Sequence, residues 1–536
     1  MKRCVTIFLA VAALLTASCS GDSTTGPADA GGDQEQQEPA QPPINITFDL
    51  HTDPWKLTAL SPTEPELPLE QRLTNFRTQL ENATWLLDTV EPYGGKISYL
   101  AVGPFWEFCA EDSEKDLCFP VLRRLYASGG MLSSHSHGQV WKSVNHWEQV
   151  PMSAGETEAR QVFADVRRFA DATASAALSL TSEADVQAVN FAMGSHVPAD
   201  AALFEQLMSE YHYAVHQGGG GEQAGMYGLF GHPPWNVFRQ DMSKPLTEDP
   251  AKYVVIPQGQ VIGNVGEHSG VWQDGRVPHK QAEFLMLYVN WLYRSSTGQP
   301  PKVWDFGWGL HTQDIDPGSE NRAAVEAIIP WLSQFVTEPG PTGIAPARFA
   351  GYAEVRDQYL AWEQEHPGVS SFNYAYATVD YSAYPYLEWA NRYLRATDFD
   401  SEIPGPAGVR IFRLTAGGHA LLLAVAAKAS GVLDASSLGA ATLRRVDLAT
   451  GAATEVSAAS APVGPGSAVL CAAGECDAIL ALGESTGESC GGGPACPEGQ
   501  VCATDVGRCV PDCRTSGFTC PADRPTCDAT TGGCGP

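Results

Sequence analysis

The sequence predicts an α/β protein with parallel strands, followed by a small β-sandwich and a disulfide-rich tail. Three observations carry this. From Ile44 to about Pro367, apolar runs of strand length alternate with apolar residues at helical spacing. Residues 405–486 then hold short β-like runs separated by Gly- and Ser-containing turns. Eight cysteines crowd between Cys490 and Cys534.

At 536 residues the chain calls for several domains, and 43% apolar residues supply ample core material. A formal charge of -29 would repel a phosphate backbone, which argues against nucleic acid as a partner.

Taken in order, residues 1–19 read as an export signal. Lys2 and Arg3 precede the apolar run Val5 to Leu15, which is shorter than the roughly 20 residues needed to span a bilayer. The run ends Leu15-Thr16-Ala17-Ser18-Cys19-Ser20, which resembles the lipobox of bacterial lipoproteins. That resemblance implies lipidation of Cys19, a lipid anchor in the cell envelope and, from Ser20, sorting to the outer membrane or cell surface. Thr16 stands where the lipobox carries an aliphatic residue, and an ordinary secretory signal is the alternative. Residues 20–43 have almost nothing to bury and read as a flexible tether.

Within residues 44–367 the candidate strands are Ile44 to Leu50, Lys96 to Val102, Gly130 to Ser134, Val186 to Met193, Tyr213 to Val215, Tyr253 to Ile256 and Lys302 to Phe306. Leu69 to Val90, Glu156 to Ala177 and Ala201 to Tyr211 are the candidate helices. Residues 368–404 read as a connector with a helix over Tyr384 to Leu394. In the sandwich, strands are expected at Gly408 to Ala416, His419 to Ala427, Ala441 to Asp447 and Ala478 to Leu482. Residues 487–536 form a repetitive Cys-rich tail whose eight cysteines allow on the order of 100 pairings; an envelope or extracellular partner is its expected role. Of the 14 cysteines, Cys109 is expected to pair with Cys118 and Cys471 with Cys476, in keeping with an oxidising compartment.

Two constellations carry chemistry. Asp49, His51 and Asp53 alternate at the end of the first strand, so an extended backbone points all three to one side. The alternative is that the two carboxylates cap the following turn. His135 and His137 likewise alternate at the end of the third strand and offer two imidazoles to one cation. A zinc hydrolase needs about three protein ligands and one open position.

The order of these segments resembles the (β/α)7-barrel superfamily of polysaccharide deacetylases and related glycoside hydrolases. Thr47-Phe48-Asp49 is similar to the start of the deacetylases' T-F-D-D strand, and Ser134-His135 to their S-H-x-x-x-H segment. Leu50 replaces the second Asp and Gln139 the second His. The likeness runs on through Val189 to His196, Tyr211 to Val215, Lys302 to His311 and Arg348 to Val355. It implies a distorted (β/α)7 barrel, a divalent metal, with zinc expected, held among His51, Asp53, His135 and His137, and a hydrolase acting on an acetylated polysaccharide. Asp49 is then the base, or a ligand, since Leu50 leaves that choice open. His311 protonates the leaving group or stabilises the oxyanion, and Ser195 and His196 contact substrate. A second alignment, His51-Thr52-Asp53-Pro54-Trp55, is similar to the H-x-D-P-x-W strand of retaining α-mannosidases, one residue short before the Trp.

Histidines His196, His216, His232, His268 and His279 lie in Gly- or Pro-rich loops that could line the cleft, although a loop histidine is more often merely solvated, and Gly218 to Gly221 reads as a flexible loop beside the site. Tryptophans near the expected cleft, Trp235 and Trp308 foremost, are candidates to stack on sugar rings, with ordinary packing as the alternative. The rivals to deacetylation are a glycosidase of the same superfamily and a non-catalytic surface protein that binds carbohydrate or protein.

Overall fold

The computed structural model describes residues 41–59, 61, 64–151, 155–194, 200–218, 235–241, 244–248, 251–257, 276–340, 342–367, 387–484, 500–503, 508–511, 526–527 and 534–535. The export signal with Cys19, most of the tether, Ser195, His196, His232 and His268 lie outside them. No helix among the described residues is long and apolar enough to cross a membrane.

Eight parallel strands form the heart of the fold: β1 (Ile44–Thr52), β2 (Ile97–Ala101), β3 (Met131–His135), β4 (Ala192–Gly194), β5 (Val215–Gly218), β6 (Val254–Pro257), β7 (Asp305–His311) and β8 (Ala347–Phe349). Their order is β7-β1-β2-β3-β4-β5-β6, and β8 pairs with the first residues of β1. Beyond β6 the sheet continues antiparallel through Phe238–Asp241. The residues just before that strand bond back to those at and before the start of β7: the Asp305 N–H donates to the Trp235 carbonyl at 2.7 Å and the Val237 N–H to the Val303 carbonyl at 3.3 Å. The sheet therefore curls towards its own starting edge, an architecture compatible with a distorted barrel.

Alternation along β1 separates two environments. Ile46, Phe48 and Leu50 share one apolar core with Phe76, Leu80 and Leu87 of the helix Leu69–Val90. Burying each large side chain there contributes about 1.5–3 kcal/mol. The helix follows from apolar residues at three- and four-residue spacing, and it stops where Pro92 and the left-handed Gly94 (φ 80°) cannot continue it. Thr47, Asp49 and His51 point the other way, into the sheet's concave interior. There the Thr47 hydroxyl donates to Asp305 Oδ1 at 3.0 Å and the Tyr352 hydroxyl to Asp49 Oδ2 at 3.1 Å. Register pairs β1 with β7 so that His51 lies beside His311.

Two expected strands are helices. Val186 to Val189 belongs to the helix Glu183–Val189, capped by Ser182, whose Oγ accepts from the Asp185 N–H at 3.1 Å. Only Ala192–Gly194 remains extended. Ala478 to Leu482 lies within the helix Ala473–Glu484, as its Ala, Leu and Glu content favours.

The appended part is a six-stranded antiparallel sheet in the order Asp398–Ile403, Arg410–Ala416, His419–Ala426, Gly466–Cys471, Thr442–Asp447, Ala453–Ser457. Phe412, Leu414, Leu423 and Val469 on one face join the core of the parallel-sheet part, where Phe412 stacks on Phe335 of the helix Glu320–Thr337. Ile411, Leu422 and Leu470 on the other face are covered by the short pair Gly431–Leu433 and Ala461–Val463. The second layer of the expected sandwich is thus only two strands. The connector contributes the first strand of this sheet, and its helix is the shorter Glu388–Leu394. Disulfides join Cys109 to Cys118 and Cys471 to Cys476. In the tail, Cys502 faces Cys509 and Cys527 faces Cys534 across two hairpins.

His216 on β5 is 2% exposed, with ring contacts to Phe204 and Tyr253 and, among the described residues, no hydrogen bond to either nitrogen. Burial pushes it down to about 4 from an ordinary 6.5. The unfolded chain takes up this proton first, so stability falls as pH drops from about 6.5 to about 4, by about 3 kcal/mol for this group. His216→Phe should remove that share of the acid sensitivity, as urea unfolding between pH 4 and 7 would show; an unchanged pH slope would contradict the assignment.

Candidate metal centre

The strand ends that face the concave interior bring six polar side chains to one place. Asp49 and His51 come from β1, with Asp53 one residue beyond it; His135 ends β3, and His137 follows in the next turn; His311 ends β7. The periodicity of a strand accounts for Asp49, His51 and His311. Asp53 and His137 owe their positions to the turns that follow.

Three ligand-type atoms meet at nearly equal spacing. Asp53 Oδ1 lies 3.0 Å from His135 Nε2 and 3.0 Å from His137 Nε2, and the two nitrogens are 2.9 Å apart. Two imidazole N–H groups aimed at one oxygen would crowd their hydrogens at that separation, and a nitrogen left bare to accept from the other would turn its lone pair on the carboxylate oxygen 3.0 Å away. A cation resolves the conflict, because atoms bound about 2.0–2.2 Å from one metal stand roughly 2.8–3.6 Å apart at angles between 90° and tetrahedral. The residues present therefore fit a divalent cation, with one carboxylate and two imidazoles as donors.

On its other side, Asp53 Oδ2 accepts from Gln313 Nε2 at 2.8 Å and faces His311 Nε2 at 3.8 Å. A second set of possible ligands, His51, Asp53 and His311, shares Asp53 with the first. The His51 ring stacks on His135 with centroids 4.4 Å apart.

The electrostatics suit a cation. Burial works to raise Asp53, but hydrogen bonds from His135 and His137 and the nearby His311 hold its carboxyl well below the usual carboxylate range. Burial, with His51 adding to it, holds His135 well below the usual imidazole range, leaving it neutral as a ligand must be. Burial also works against a charged His311, yet its 2.8 Å contact from Nδ1 to Asp314 Oδ2 and the charge of Asp53 carry it up to about 9.

Asp49 is buried below this cluster. Its Oδ2 accepts from Tyr352 and Gln217 and lies 3.2 Å from His51 Nε2, while its Oδ1 has no hydrogen-bond partner among the described residues. His51, not Asp49, is the neighbour of His135. Deeper still, burial, with Asp49 adding to it, pushes Asp305 well above the usual carboxylate range, which favours its protonated form. Glycine makes room for the layer: a Cβ at Gly194 would stand 2.7 Å from His135 Nδ1 and 2.5 Å from Gln217 Oε1.

Trp308 and Trp235 do not reach the centre. Trp308 pairs in register with Phe48 on the outer face of the sheet and packs on it at 4.5 Å, and both tryptophans are 1% exposed. Neither offers a face to a sugar. Trp55, two residues beyond Asp53, is 46% exposed. Sequence reasoning also passed over Asp314, Gln313, Gln217 and Gln149. Of these only Asp314 left a signal, a carboxylate three residues after His311.

No family model and no curated protein matches this chain. Among solved structures it is similar to a chain assigned as a polysaccharide deacetylase from Mycobacterium smegmatis, at 10% identity and a TM-score of 0.34, covering 61% of this chain and 96% of that one. A Pseudomonas aeruginosa chain with the same assignment is 14% identical with a TM-score of 0.36, covering 61% and 93%. A chain from Parabacteroides distasonis assigned as a glycoside hydrolase/deacetylase is 11% identical with a TM-score of 0.36, covering 72% and 83%.

Proton NMR of metal-free protein should find His311 titrating near 9, and Asp314→Asn should bring it down towards or below 6.5. An unshifted His311 in the variant would show that Asp314 does not set its charge.

Proposed function

We propose that the chain is an exported, metal-dependent, carbohydrate-active hydrolase whose cation, zinc by this donor set, is held by Asp53, His135 and His137. The single observation that carries the reading is the near-equilateral contact of Asp53 Oδ1 with the two imidazole Nε2 atoms. When bound, a divalent cation there supplies Lewis acidity towards an acyl oxygen and towards water.

The chain's own residues do the remaining work. His311, charged and oriented by Asp314, stands on the far oxygen of Asp53, where it can donate a proton to a departing group or steady a developing oxyanion. Asp49, instead of meeting water directly, fixes His51 against the cluster. Gln313 holds Asp53 Oδ2 and limits rotation of the carboxylate. Trp55, two residues beyond Asp53 in the chain, is an exposed aromatic side chain of the kind that stacks on a sugar ring.

The substrate class follows from the sequence resemblance: an N- or O-acetylated polysaccharide, cleaved at the acyl group. A lipid anchor on Cys19 would hold the enzyme at the cell envelope, and the Cys-rich tail would meet an envelope or extracellular partner. One observation favours a second reading. His51, Asp53 and His311 form a ligand group of their own; the α-mannosidase-like H-x-D alignment implies two of them, His51 and Asp53, and a glycosidase would use that set.

Metal analysis with hydrolysis assays separates the two. The deacetylase reading expects about one zinc per chain, lost in Asp53→Ala, His135→Ala and His137→Ala, with acetylated sugars as substrates. The glycosidase reading expects His137→Ala to keep its metal, His51→Ala to lose it, and aryl glycosides to be cleaved. A folded wild-type protein that binds no metal would contradict both and favour a non-catalytic surface protein.

A further inference from the structure

We propose that Gln139 and Gln149 form a two-amide clamp that positions His137, so that this chain supplies its second imidazole two residues after His135 rather than four. The inference rests on the reading that Asp53, His135 and His137 hold a cation.

His137 needs such support. It lies past the end of β3, belongs to no strand, and its side chain is 40% exposed. Left to a free turn, an imidazole in that position would sample many orientations and bind metal weakly. Instead both polar groups of its peptide are taken. The His137 N–H donates to Gln139 Oε1 at 3.0 Å, and the His137 carbonyl accepts from Gln149 Nε2. Gln139 Nε2 in turn donates to Gln149 Oε1, and Gln149 Nε2 also reaches the Val150 carbonyl at 3.1 Å. Each amide meets an acceptor with its nitrogen and a donor with its oxygen, so neither can flip without losing bonds.

The clamp stands on a fixed base. Gln139 and Gln149 are register partners at the open end of the hairpin Gln139–Ser143 and His146–Gln149. At its far end Glu107, itself buried, accepts from Trp141 Nε1 at 3.0 Å, the Asn145 N–H at 3.0 Å and Trp147 Nε1 at 2.6 Å. Arg72 donates to the Asn145 carbonyl and Thr58 to the Trp147 carbonyl. Between clamp and ligand, Gly138 takes a left-handed φ of 88° and its N–H donates to Ser136 Oγ. The whole hairpin thus transmits a fixed position to His137.

This explains a departure seen in the sequence. At position 139 a histidine turned towards the cation would abandon both bonds that Gln139 makes, and the turn carrying His137 would lose its support.

The test is zinc affinity of the full chain, by competition with a chromophoric chelator, alongside the visible spectrum of the cobalt-substituted protein. Gln139→Ala and Gln149→Ala should each weaken zinc binding about 10–100-fold and change the cobalt spectrum, while the metal-free melting temperature stays close to wild type. Gln139→Glu, which still accepts from the His137 N–H, should recover part of the affinity. If an alanine variant unfolds, Gln139→Met and Gln149→Met, which keep side-chain length without the amide, carry the same comparison. Wild-type affinity and spectrum in the folded variants would overturn the clamp while leaving the metal reading intact. A wild type that binds no zinc would overturn the metal reading, and the clamp with it.

Discussion

Both oxygens of one carboxylate, Asp53, are engaged at the mouth of the curled sheet, and the site depends on that division. Oδ1 faces His135 and His137, and Oδ2 takes Gln313 and faces His311. A half-buried anion is costly unless positive charge or donors meet it. Here the donors come from β3, β7 and the turns after them, so these strands must end at one level around β1. The parallel register of β1 with β7, which sets His51 beside His311, is the structural expression of that requirement.

Beneath the mouth, the concave interior is layered by polarity rather than filled with aliphatic side chains. Asp49 accepts from Tyr352 and Gln217, and Thr47 donates to Asp305. Such groups are tolerated because each carboxyl has partners or keeps its proton. Small residues are part of the same arrangement: a Cβ at Gly307 would stand 2.5 Å from the Pro257 carbonyl and 2.9 Å from Thr47 Oγ1. The layer gives His51 a fixed partner in Asp49 and leaves the cluster above it little freedom to rearrange.

Much of this was legible in the sequence because strands have a two-residue period. Asp49 and His51 share a face of β1 as that period requires; His135 and His137 have the same spacing, but His137 joins the cluster through the turn after β3, and Asp53 and His311 complete it. What the sequence concealed depends on burial and on contacts between distant segments. A tryptophan on β7 reads the same whether it faces a cleft or a helix, and register with Phe48 decides that Trp308 faces the helices. Asp49 fits the pattern of a catalytic base, but only packing reveals that His51 lies between it and the cluster. Gln139 read as a missing ligand, and its role became visible only through Gln149, ten residues away. Val186 to Val189 misled through its apolar content; the Ser182 cap and Val186 with Val189 three residues on were the helical signal that outweighed it.

The most direct test of a cation held by Asp53, His135 and His137 is X-ray absorption at the zinc edge on the purified full chain. The expected spectrum has nitrogen and oxygen neighbours at about 2.0–2.2 Å, with the outer-shell scattering of two imidazoles and no sulfur. A first shell containing sulfur, or one with no imidazole signature, would contradict the account.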